Sequence, residues 1–564
     1  MLTKTFKLEK EKKYLHFPIK NTKGVYTEDK EYRYVKFMDG EKLISEVYIK
    51  LSDKPDFYAP RYFGGYDKVT LVCEDCDVPD NYFNGVIAGR CMFEEKELYK
   101  NLYSEKYRNQ FHFSPARGWL NDPNGLVFAD GKYHMYFQHN PLGTVHGGVN
   151  ISWGHAESAD GVLWKEKNPA IYNENAEQEI ASGSSWCDEE NIFGLGKNVL
   201  ISAHTRLNGC YFKEGEKPQT EGQYLMYSRN GGETFENIGK NPKIPVPKGE
   251  FWRDPKILVI DKTMFMLVYE TYEKKDCVSV YSSENLNDWI FRTRLPNLYE
   301  CPDLFKLYVE ETGEEKWVLY GGNGAYSICE FDSEKFNLQK SGDGGFLDYG
   351  WAVYAGQSFN NHPDNKRRYH LAWVVHGWDN DFADYKGKAF SQCMSLTCGL
   401  ELHKTGKGYR LFRKPSEEIK KLRYSGVSEK MHIKKEKVLN LETPCEIIIN
   451  FKDKKDFSFN LGNCRFSYND RENKIKVCGF SFSYNKEKEK LEVVENSSKN
   501  KEYILSETDG IKLDVFVDKT VTEVFINEEI SVTAVGLNER EKLKIISDEA
   551  NIDYTLYKLK SIRD

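Results

Sequence analysis

The sequence predicts an all-β protein: a five-bladed β-propeller with an extra N-terminal β-sandwich-like module and a C-terminal β-sandwich. Residues 107–412 contain many short strand-like stretches, such as YHMYFQ and TMFMLVYE, and almost no helical periodicity. Five short motifs recur there at intervals of 60, 72, 46 and 48 residues, centred on Asp122, Ser182, Asp254, Glu300 and Asp348. Four-stranded blades take roughly 40 to 50 residues, and longer ones carry insertions, so five motifs predict five blades.

Changes in composition suggest the domain boundaries. Residues 1–106 hold stretches such as YRYVKF, LISEVYIKL and KVTLVC between Gly, Asp and Pro clusters, which predicts strands of a small module. Residues 107–412 make the propeller. From 413 to 564 the chain is first rich in Lys and Glu and then resumes strands. Apolar residues alternate in one of these strands, as expected when one face is buried and one is wet: Ile511, Leu513, Val515 and Val517.

Charge and hydropathy exclude several classes of partner. The net charge of −7 comes from 80 basic and 87 acidic residues, and no long basic tract could follow a phosphate backbone. We therefore expect no nucleic acid partner. No run approaches the roughly 20 apolar residues of a membrane span, and the N-terminus MLTKTFKLEKEKKYLHF lacks the apolar region of a secretory signal. These features predict a cytoplasmic protein without a membrane partner, or a secreted one if a signal has been removed.

The cysteines do not indicate a disulfide framework or a metal site. There are 13, an odd number, and they are scattered along the chain. Cys73 and Cys76 form a lone CxxC without a second pair at zinc spacing. We therefore predict no metal and no cofactor, and the sequence leaves a homo-oligomer open.

Three stretches place an acid one or two residues before a proline. Asp122 lies in WLNDPNG, where Pro123 fixes φ and the following Asn-Gly tolerates left-handed backbone, so the carboxylate should sit at a tight bend. Alone, such a stretch is most often an ordinary hairpin turn. Two later stretches reverse that judgement, because FWRDP contains Asp254 and YECPD contains Glu300.

Together the three stretches resemble the motif set of glycoside hydrolase family 32, the invertase, inulinase and levanase family of β-fructosidases. YFQHNP, ISWGHAES, SGSSW and LDYGWAVYAGQSF follow in the family's order. The resemblance is close over roughly 110–415 and loose in the tail. It implies the same propeller and C-terminal sandwich, and a carbohydrate substrate. The module 1–106 also resembles the N-terminal β-domain that some family members carry. Its role is more consistent with packing or oligomerisation than with sugar binding.

The resemblance implies a role for each acid. Asp122 corresponds to the nucleophile that forms a covalent fructosyl-enzyme, and Glu300 to the acid that protonates the leaving oxygen and then deprotonates water. Glu300 must therefore carry its proton while Asp122 is ionised. Asp254 corresponds to a third acid, which binds sugar hydroxyls without reacting. Retention of configuration requires the two reacting carboxyls to lie about 5 to 5.5 Å apart.

Further positions correspond to substrate-binding residues of the family. Arg253 would orient the acids or the ring oxygens, and Trp153 would stack on the sugar. Both Trp373 and Trp378 can supply the second tryptophan near the first subsite, and we favour Trp378. The complete predicted binding set is Asn121, Gln138, Trp153, Ser184, Arg253, Asp348 and Trp378. Ala181 replaces the aromatic residue often found before the serine-glycine motif, which leaves the preferred substrate open.

The resemblance therefore implies a retaining hydrolase that releases terminal β-D-fructose from sucrose, fructo-oligosaccharides or a fructan of the inulin or levan type. An endo-fructanase or a fructosyltransferase could use the same scaffold, because subsite depth and acceptor choice lie in loops. A non-catalytic fructan-binding protein is the alternative from another class. It should have lost an acid, yet Asp122, Asp254 and Glu300 are all present.

Overall fold

A computed structural model describes residues 1–21, 30–208, 221–245, 251–332, 337–364, 366–377, 389–485, 487, 490–538 and 541–563. Strands dominate these ranges, and the two helices within them are short 3-10 turns at Glu417–Leu422 and Ser497–Lys499. The all-β prediction is confirmed.

Two small sheets make the N-terminal module. The first is a four-stranded antiparallel sheet in the order Leu2–Lys7, Lys68–Cys73, Arg33–Asp39 and Lys42–Ile49. The second has three strands in the order Phe57–Tyr62, Tyr14–Ile19 and Ile87–Gly89. Apolar side chains from both sheets form one core, as the alternating stretches predict.

Five sheets follow as successive blades of the propeller, confirming the predicted number. Blade 1 consists of Gly118–Ala129, Lys132–Asn140, Ser152–Ser158 and Lys165–Glu166. Blade 2 consists of Gln178–Asp188, Val199–Asn208, Gly222–Ser228 and Glu236–Asn237, with Ile244–Pro245 beside the third strand. Blade 3 consists of Trp252–Ile260, Thr263–Tyr272, Lys275–Ser283 and Ile290–Pro296. Blade 4 consists of Asp303–Tyr308, Glu315–Tyr320, Ala325–Asp332 and Asn337–Phe346. Blade 5 consists of Val353–Ser358, Arg368–Val374, Cys398–Thr405 and Gly408–Pro415, with Cys393–Met394 beside the second strand.

Apolar clusters between neighbouring blades hold the propeller together. One joins blades 3 and 4 through residues such as Leu267 and Leu319, and another joins blades 4 and 5 through Val318 and Leu400. The short strand Phe390–Ser391 pairs in parallel with the first strand of blade 1. This pairing adds a backbone contact between the last blade and the first.

The C-terminal sandwich is built from one ten-stranded sheet. Nine strands follow in the order Lys501–Ile504, Lys474–Val477, Cys464–Asn469, Phe457–Leu461, Glu541–Leu559, Cys445–Phe451, Ile511–Val517, Val521–Ile526 and Ile530–Val535. The tenth, Arg423–Leu441, pairs with Glu541–Leu559, and a separate ribbon pairs Phe480–Asn485 with Lys490–Glu495.

One face of the sandwich covers the propeller. The alternating residues of Ile511–Val517 face the sandwich core, as predicted. The other face is not fully exposed to solvent, however, because Phe516 is buried and packs against Phe111, which precedes blade 1 in the chain. The alternation shows which residues share a face but not what lies on the other side. The boundaries at 106 and 412 stay a proposal.

Candidate active site

Bulges in the inner strands direct the motif residues out of the regular sheet. The register between the first two strands shifts between Leu120 and Pro123 in blade 1, Ile180 and Gly183 in blade 2, Arg253 and Lys256 in blade 3, and Tyr354 and Gln357 in blade 5. In blade 4 the motif residue Glu300 precedes the first strand, which begins at Asp303. Because a bulge bends its strand and re-aims a side chain, equivalent bulges let blades present polar groups to one shared space.

Asp122 is held by its neighbours in blades 1 and 2. Ser182 Oγ donates to Asp122 Oδ2 at 2.6 Å, and Asn121 Nδ2 donates to Asp122 Oδ1 at 3.2 Å. The same amide of Asn121 lies 3.3 Å from Gln138 Oε1, and its oxygen accepts from Trp119 Nε1 at 2.8 Å. The carboxylate is therefore oriented by donors on two elements.

Glu300 is oriented by two side chains from neighbouring blades. The guanidinium of Arg253 donates to Glu300 Oε1, and the hydroxyl of Tyr354 donates to Glu300 Oε2. Arg253 Nε also lies 3.7 Å from Asp254 Oδ2, so one guanidinium links two of the acids. Arg253 itself is packed against the ring of Tyr269, 5.0 Å from its centroid.

Cys301 is the point at which the three acids meet. It follows Glu300 in the chain, its backbone N–H donates to Asp254 Oδ2 at 3.3 Å, and its Sγ lies 3.7 Å from Asp122 Oδ2. Cys301 is buried, and burial raises the pKa of its thiol well above the usual value, so it acts here as a neutral donor. Acids separated by up to 178 residues in the chain thus come together around one buried residue, Cys301.

The backbone at these acids is in an unusual conformation. φ is +61° at Asp254, +42° at Glu300 and +40° at Cys301, a region that side-chain-bearing residues seldom adopt. Such conformations cost on the order of 1–3 kcal/mol each and persist only where the surrounding structure imposes them. Three of them at one cluster of acids indicate a functional site.

Burial, with a smaller contribution from neighbouring negative charge, raises the pKa of two acids. Burial raises the pKa of Asp122; the hydrogen bonds from Ser182 and Asn121 oppose this shift, Glu300 adds to it, and His146 also opposes it.

Burial raises the pKa of Asp254 to about 7, and Arg253 opposes this shift, whereas the charges of Glu300 and Asp122 add to it. Desolvation and like charge therefore both act against a fully ionised cluster.

Three of these contacts were not predicted from the sequence. The predicted serine was Ser184, but Ser182 of the same motif donates to Asp122. Cys301 is adjacent to a predicted acid, and Tyr354 lies within LDYGWAVYAGQSF. Both therefore belong to motifs in which only the acid was predicted to be functional. The signal available for Ser182 was the centring of the second motif on it rather than on Ser184.

Three predicted binding residues are not brought to the acids. Ser184 Oγ instead bridges blades 2 and 3, donating to Pro255 O at 2.8 Å and accepting from Ile257 N at 2.8 Å. The Trp153 ring is fully buried against Tyr136, and its Nε1 donates to Ala181 O at 3.0 Å, which corrects the prediction that it stacks on sugar.

Asp348 faces the C-terminal sandwich, where Ser531 Oγ and Thr533 Oγ1 each donate to its Oδ2 at 2.6 Å, so its carboxylate stabilises a domain contact instead of binding substrate. Trp378 lies outside the described residues. Trp373, the other candidate, is fully buried, and its Nε1 donates to Gln392 Oε1 at 3.1 Å.

The described residues offer neither a metal site nor a membrane-spanning helix. Over the described ranges, no group of three or more His, Cys, Asp or Glu side chains is placed to hold a metal ion. Nor does any helix in those ranges have the length and apolar character needed to cross a membrane.

Comparison with known proteins identifies relatives that match a large part of the chain. The levanase of Bacillus subtilis (strain 168) is 29% identical over 473 residues, covering 76% of this chain and 66% of the relative. The extracellular exo-inulinase of Meyerozyma guilliermondii is 33% identical over 288 residues, covering 48% of this chain and 55% of the relative. This chain thus spans less than the full length of either relative.

Among solved structures, the exo-inulinase of Aspergillus awamori has the same fold. The two superpose with a TM-score of 0.65 at 22% identity, over 82% of this chain and 99% of the other. The model of the glycosyl hydrolases family 32 N-terminal domain matches residues 112–415. That range contains all three acids and all five blades, and the chain therefore belongs to glycoside hydrolase family 32.

Proposed function

We propose that this protein is a retaining β-fructofuranosidase that releases terminal β-D-fructose from sucrose, fructo-oligosaccharides or fructan. The observation that carries the proposal is the convergence of Asp122, Asp254 and Glu300 on Cys301, in a chain of this family. Relatives named levanase and exo-inulinase support a fructoside as the substrate.

Asp122 acts as the nucleophile. Its carboxylate attacks the anomeric carbon of the fructosyl unit, the bond to the leaving oxygen breaks, and a covalent fructosyl-enzyme forms. The donors Ser182 and Asn121, one to each oxygen, fix the carboxylate in one orientation for the attack. The hydrogen bond from Ser182 also lowers the pKa of Asp122 and so favours the ionised form that the attack needs.

Glu300 acts first as the acid and then as the base. It gives its proton to the leaving oxygen, and afterwards takes a proton from the water that attacks the fructosyl-enzyme. Water then releases fructose and restores Asp122. Tyr354 and Arg253, which both donate to the carboxyl of Glu300, hold it in the orientation that both steps require.

Asp254 binds and does not react. Positive charge develops on the fructosyl ring in the transition state, and a carboxyl group that accepts from two ring hydroxyls becomes a better acceptor as that charge grows. Arg253 Nε, 3.7 Å from Asp254 Oδ2, keeps this carboxyl from turning away. Asn121 and Gln138 lie beside Asp122 and supply further polar groups for the same sugar.

The test is a time course of products from sucrose, short β-2,1 oligosaccharides, inulin and levan, with Asp122→Asn as the blank. We expect free fructose from the earliest points, and none from the blank above about one part in 10⁴ of the parent rate. Oligosaccharides that appear before fructose would favour endo cleavage or transfer. If no fructoside gives an Asp122-dependent product, the chain is a binding protein and the proposal is wrong.

Cellular location and assembly stay predictions. We retain a cytoplasmic location as the proposal, although one relative is named as extracellular. Fractionation of the source cells, with activity measured in each fraction, would decide between the two. Light scattering of the purified chain would decide whether it is a homo-oligomer.

A further inference from the structure

One loop of blade 1 reaches the nucleophile. The loop 141–151 joins Lys132–Asn140 to Ser152–Ser158, and its first flanking strand pairs with the strand that carries Asp122. The ring of His146, near the middle of this loop, contacts the ring of Trp119 edge-on at 6.2 Å and 84°. Trp119 in turn donates to Asn121, the residue before Asp122.

The loop cannot fix His146 by itself. Gly147 and Gly148 follow the histidine with φ of +64° and +65°, and glycine gives the backbone its greatest freedom. Within the loop, Gly148 N donates to His146 Nδ1 at 3.2 Å, which leaves Nε2 as the donor of a neutral ring. A histidine on so flexible a segment keeps one position only if other elements hold the loop.

The N-terminal module supplies that restraint. Asn150 Oδ1 accepts from Tyr48 N at 2.9 Å, and Asn150 Nδ2 donates to Tyr48 O at 2.8 Å, so the side chain pairs with the module's backbone as a strand would. Val145 and Val149 pack against Tyr32 and Tyr48 of the module in one apolar cluster.

Two further contacts hold the start of the loop. Thr144 Oγ1 donates to Asn21 Oδ1 at 3.1 Å, and Leu142 is buried within the module's own core. Contacts from the module are therefore made on both sides of His146 along the loop. An appendage that merely packed on the propeller would not need to hold, at four points, a loop whose histidine contacts Trp119 beside the nucleophile.

We propose that the N-terminal module is a specificity-determining part of the substrate site: by clamping the loop 141–151 it holds His146 beside the pocket of Asp122. The loop then lines the part of the site that holds the leaving group of the substrate. There His146 donates a hydrogen bond to a hydroxyl of that group. This proposal rests on the proposed function. Sucrose, with one leaving sugar, depends most on this wall, whereas a longer chain has further sugars to contact the protein.

Asn150→Gly tests the clamp. Asn150 has φ of +60°, which glycine adopts without strain, so the substitution removes both bonds to Tyr48 and keeps the backbone. We expect kcat/KM for sucrose to fall roughly tenfold, mostly through KM, as for the loss of one or two hydrogen bonds. The ratio of kcat/KM for 1-kestose to that for sucrose should rise at least about threefold.

Four further variants complete the experiment. His146→Ala should change the same ratio in the same direction, and the double variant should change it no further, since both act through one group. Thr70→Val is the matched control: it removes a hydrogen bond of 2.9 Å to Thr5 within the module, away from the propeller. Its ratio should equal that of the parent. Should Asn150→Gly fail to fold, Thr144→Val removes the bond to Asn21 and should shift the ratio less but in the same direction.

The outcomes are distinct. If His146→Ala changes the ratio and neither Asn150→Gly nor Thr144→Val does, the module does not act on specificity and the proposal is wrong. If no variant changes the ratio, the loop is not part of the site. A parent without Asp122-dependent activity on any fructoside would instead overturn the proposed function.

Discussion

Two clusters of buried acids in this molecule differ in how their charge is balanced. The acid cluster consists of Asp122, Asp254 and Glu300, with Arg253 as its neighbouring cation. The junction cluster lies between propeller and sandwich and consists of His112, Asp348, Arg413, Asp518 and Glu523. There His112 lies 3.0 Å from Asp518 and 3.1 Å from Glu523, and Arg413 lies 3.3 Å from Glu523 and 3.6 Å from Asp348.

The pKa shifts in the two clusters have opposite signs. In the acid cluster the pKa of Asp122 is raised and that of Asp254 is raised to about 7, chiefly by burial. In the junction cluster burial acts in the same sense, but the hydrogen bonds and charge of His112 outweigh it and lower the pKa of Asp518 and Glu523. Those two acids in turn raise the pKa of His112 to about 9 against its own burial.

The contrast separates chemistry from architecture. Buried charges that are fully paired hold domains in register, whereas buried acids that outnumber their cations have raised pKa values of the kind found at functional sites. Burial alone does not distinguish the two groups, since every one of these acids is largely buried. The following predictions test whether charge balance does.

Glu300→Gln should have the largest effect. Without a proton donor, turnover of sucrose or fructan should fall roughly 10²–10⁴-fold, while a fructoside with an activated aryl leaving group, which needs no proton, should keep most of its rate. Steady-state kinetics on both substrates measures this. Glu315→Gln, on the surface of the same blade, is the control. An equal loss on both substrates would show that Glu300 is not the acid.

Arg413→Met should instead unfold the protein more easily without affecting the chemistry. It leaves Asp348 without its cation and Glu523 with His112 alone, and breaking a buried pair in this way costs about 3–5 kcal/mol. Urea unfolding measures the loss, and kcat per folded molecule should stay within about twofold. Arg410→Met, on the same strand, should cost less than about 1 kcal/mol. A large fall in kcat for Arg413→Met would mean that the junction cluster takes part in the reaction.

Asp254→Asn should abolish activity and raise stability at neutral pH. The unfolded carboxyl releases its proton near pH 4, but the folded one only near pH 7, so the stability of the parent falls as pH rises through this window. Removing the group should therefore raise the free energy of unfolding by up to about 4 kcal/mol at pH 8 and by little at pH 4.

A matched carboxyl should respond with the opposite sign. Asp303 is also buried in the propeller, but Lys256 lies 3.1 Å away, and its pKa is lowered by Lys256 and Arg368 in spite of burial. Asp303→Asn should therefore lower stability at pH 8. Urea unfolding of both variants at pH 4 and pH 8 is the measurement, and equal shifts of Asp254→Asn at the two pH values would contradict the charge-balance argument.

The same contrast explains what the sequence could reveal. The spacing of five motifs predicted the number of blades, and the family resemblance placed Asp122, Asp254 and Glu300 in one site. It also placed Asp348 there, because an acid in a motif looks alike whether it faces the channel or the sandwich. Only the fold, with Ser531 and Thr533 donating to Asp348, shows that this acid is paired elsewhere.

Positions within a motif were harder to predict than the motifs. A bulge between Ile180 and Gly183 decides which serine of the second motif reaches the channel. A shift of the register by one or two residues would bring the other serine there. Trp153 illustrates a second limit, because a tryptophan next to a site motif can be core, and here its ring is fully buried. Local residue patterns predict neither the position of a bulge nor the packing around an aromatic ring.

The smallest predicted effects compare the two serines of that motif. Ser182→Ala removes the bond of 2.6 Å to Asp122, a charge-assisted contact worth about 1.5–3 kcal/mol, so kcat/KM should fall roughly 10- to 100-fold. Because that bond lowers the pKa of Asp122, the acidic limb of the kcat/KM profile should move to higher pH.

Ser184→Ala should behave as an architectural change. It leaves Ile257 N without its acceptor between blades 2 and 3, which costs about 1–3 kcal/mol of stability, while kcat/KM stays within about threefold and the acidic limb does not move. Urea unfolding and the pH dependence of kcat/KM, measured on both variants, separate the two roles. If Ser184→Ala moved the acidic limb and Ser182→Ala did not, the second motif would contribute to the site through the residue first predicted, and the contact between Ser182 and Asp122 would have no part in the chemistry.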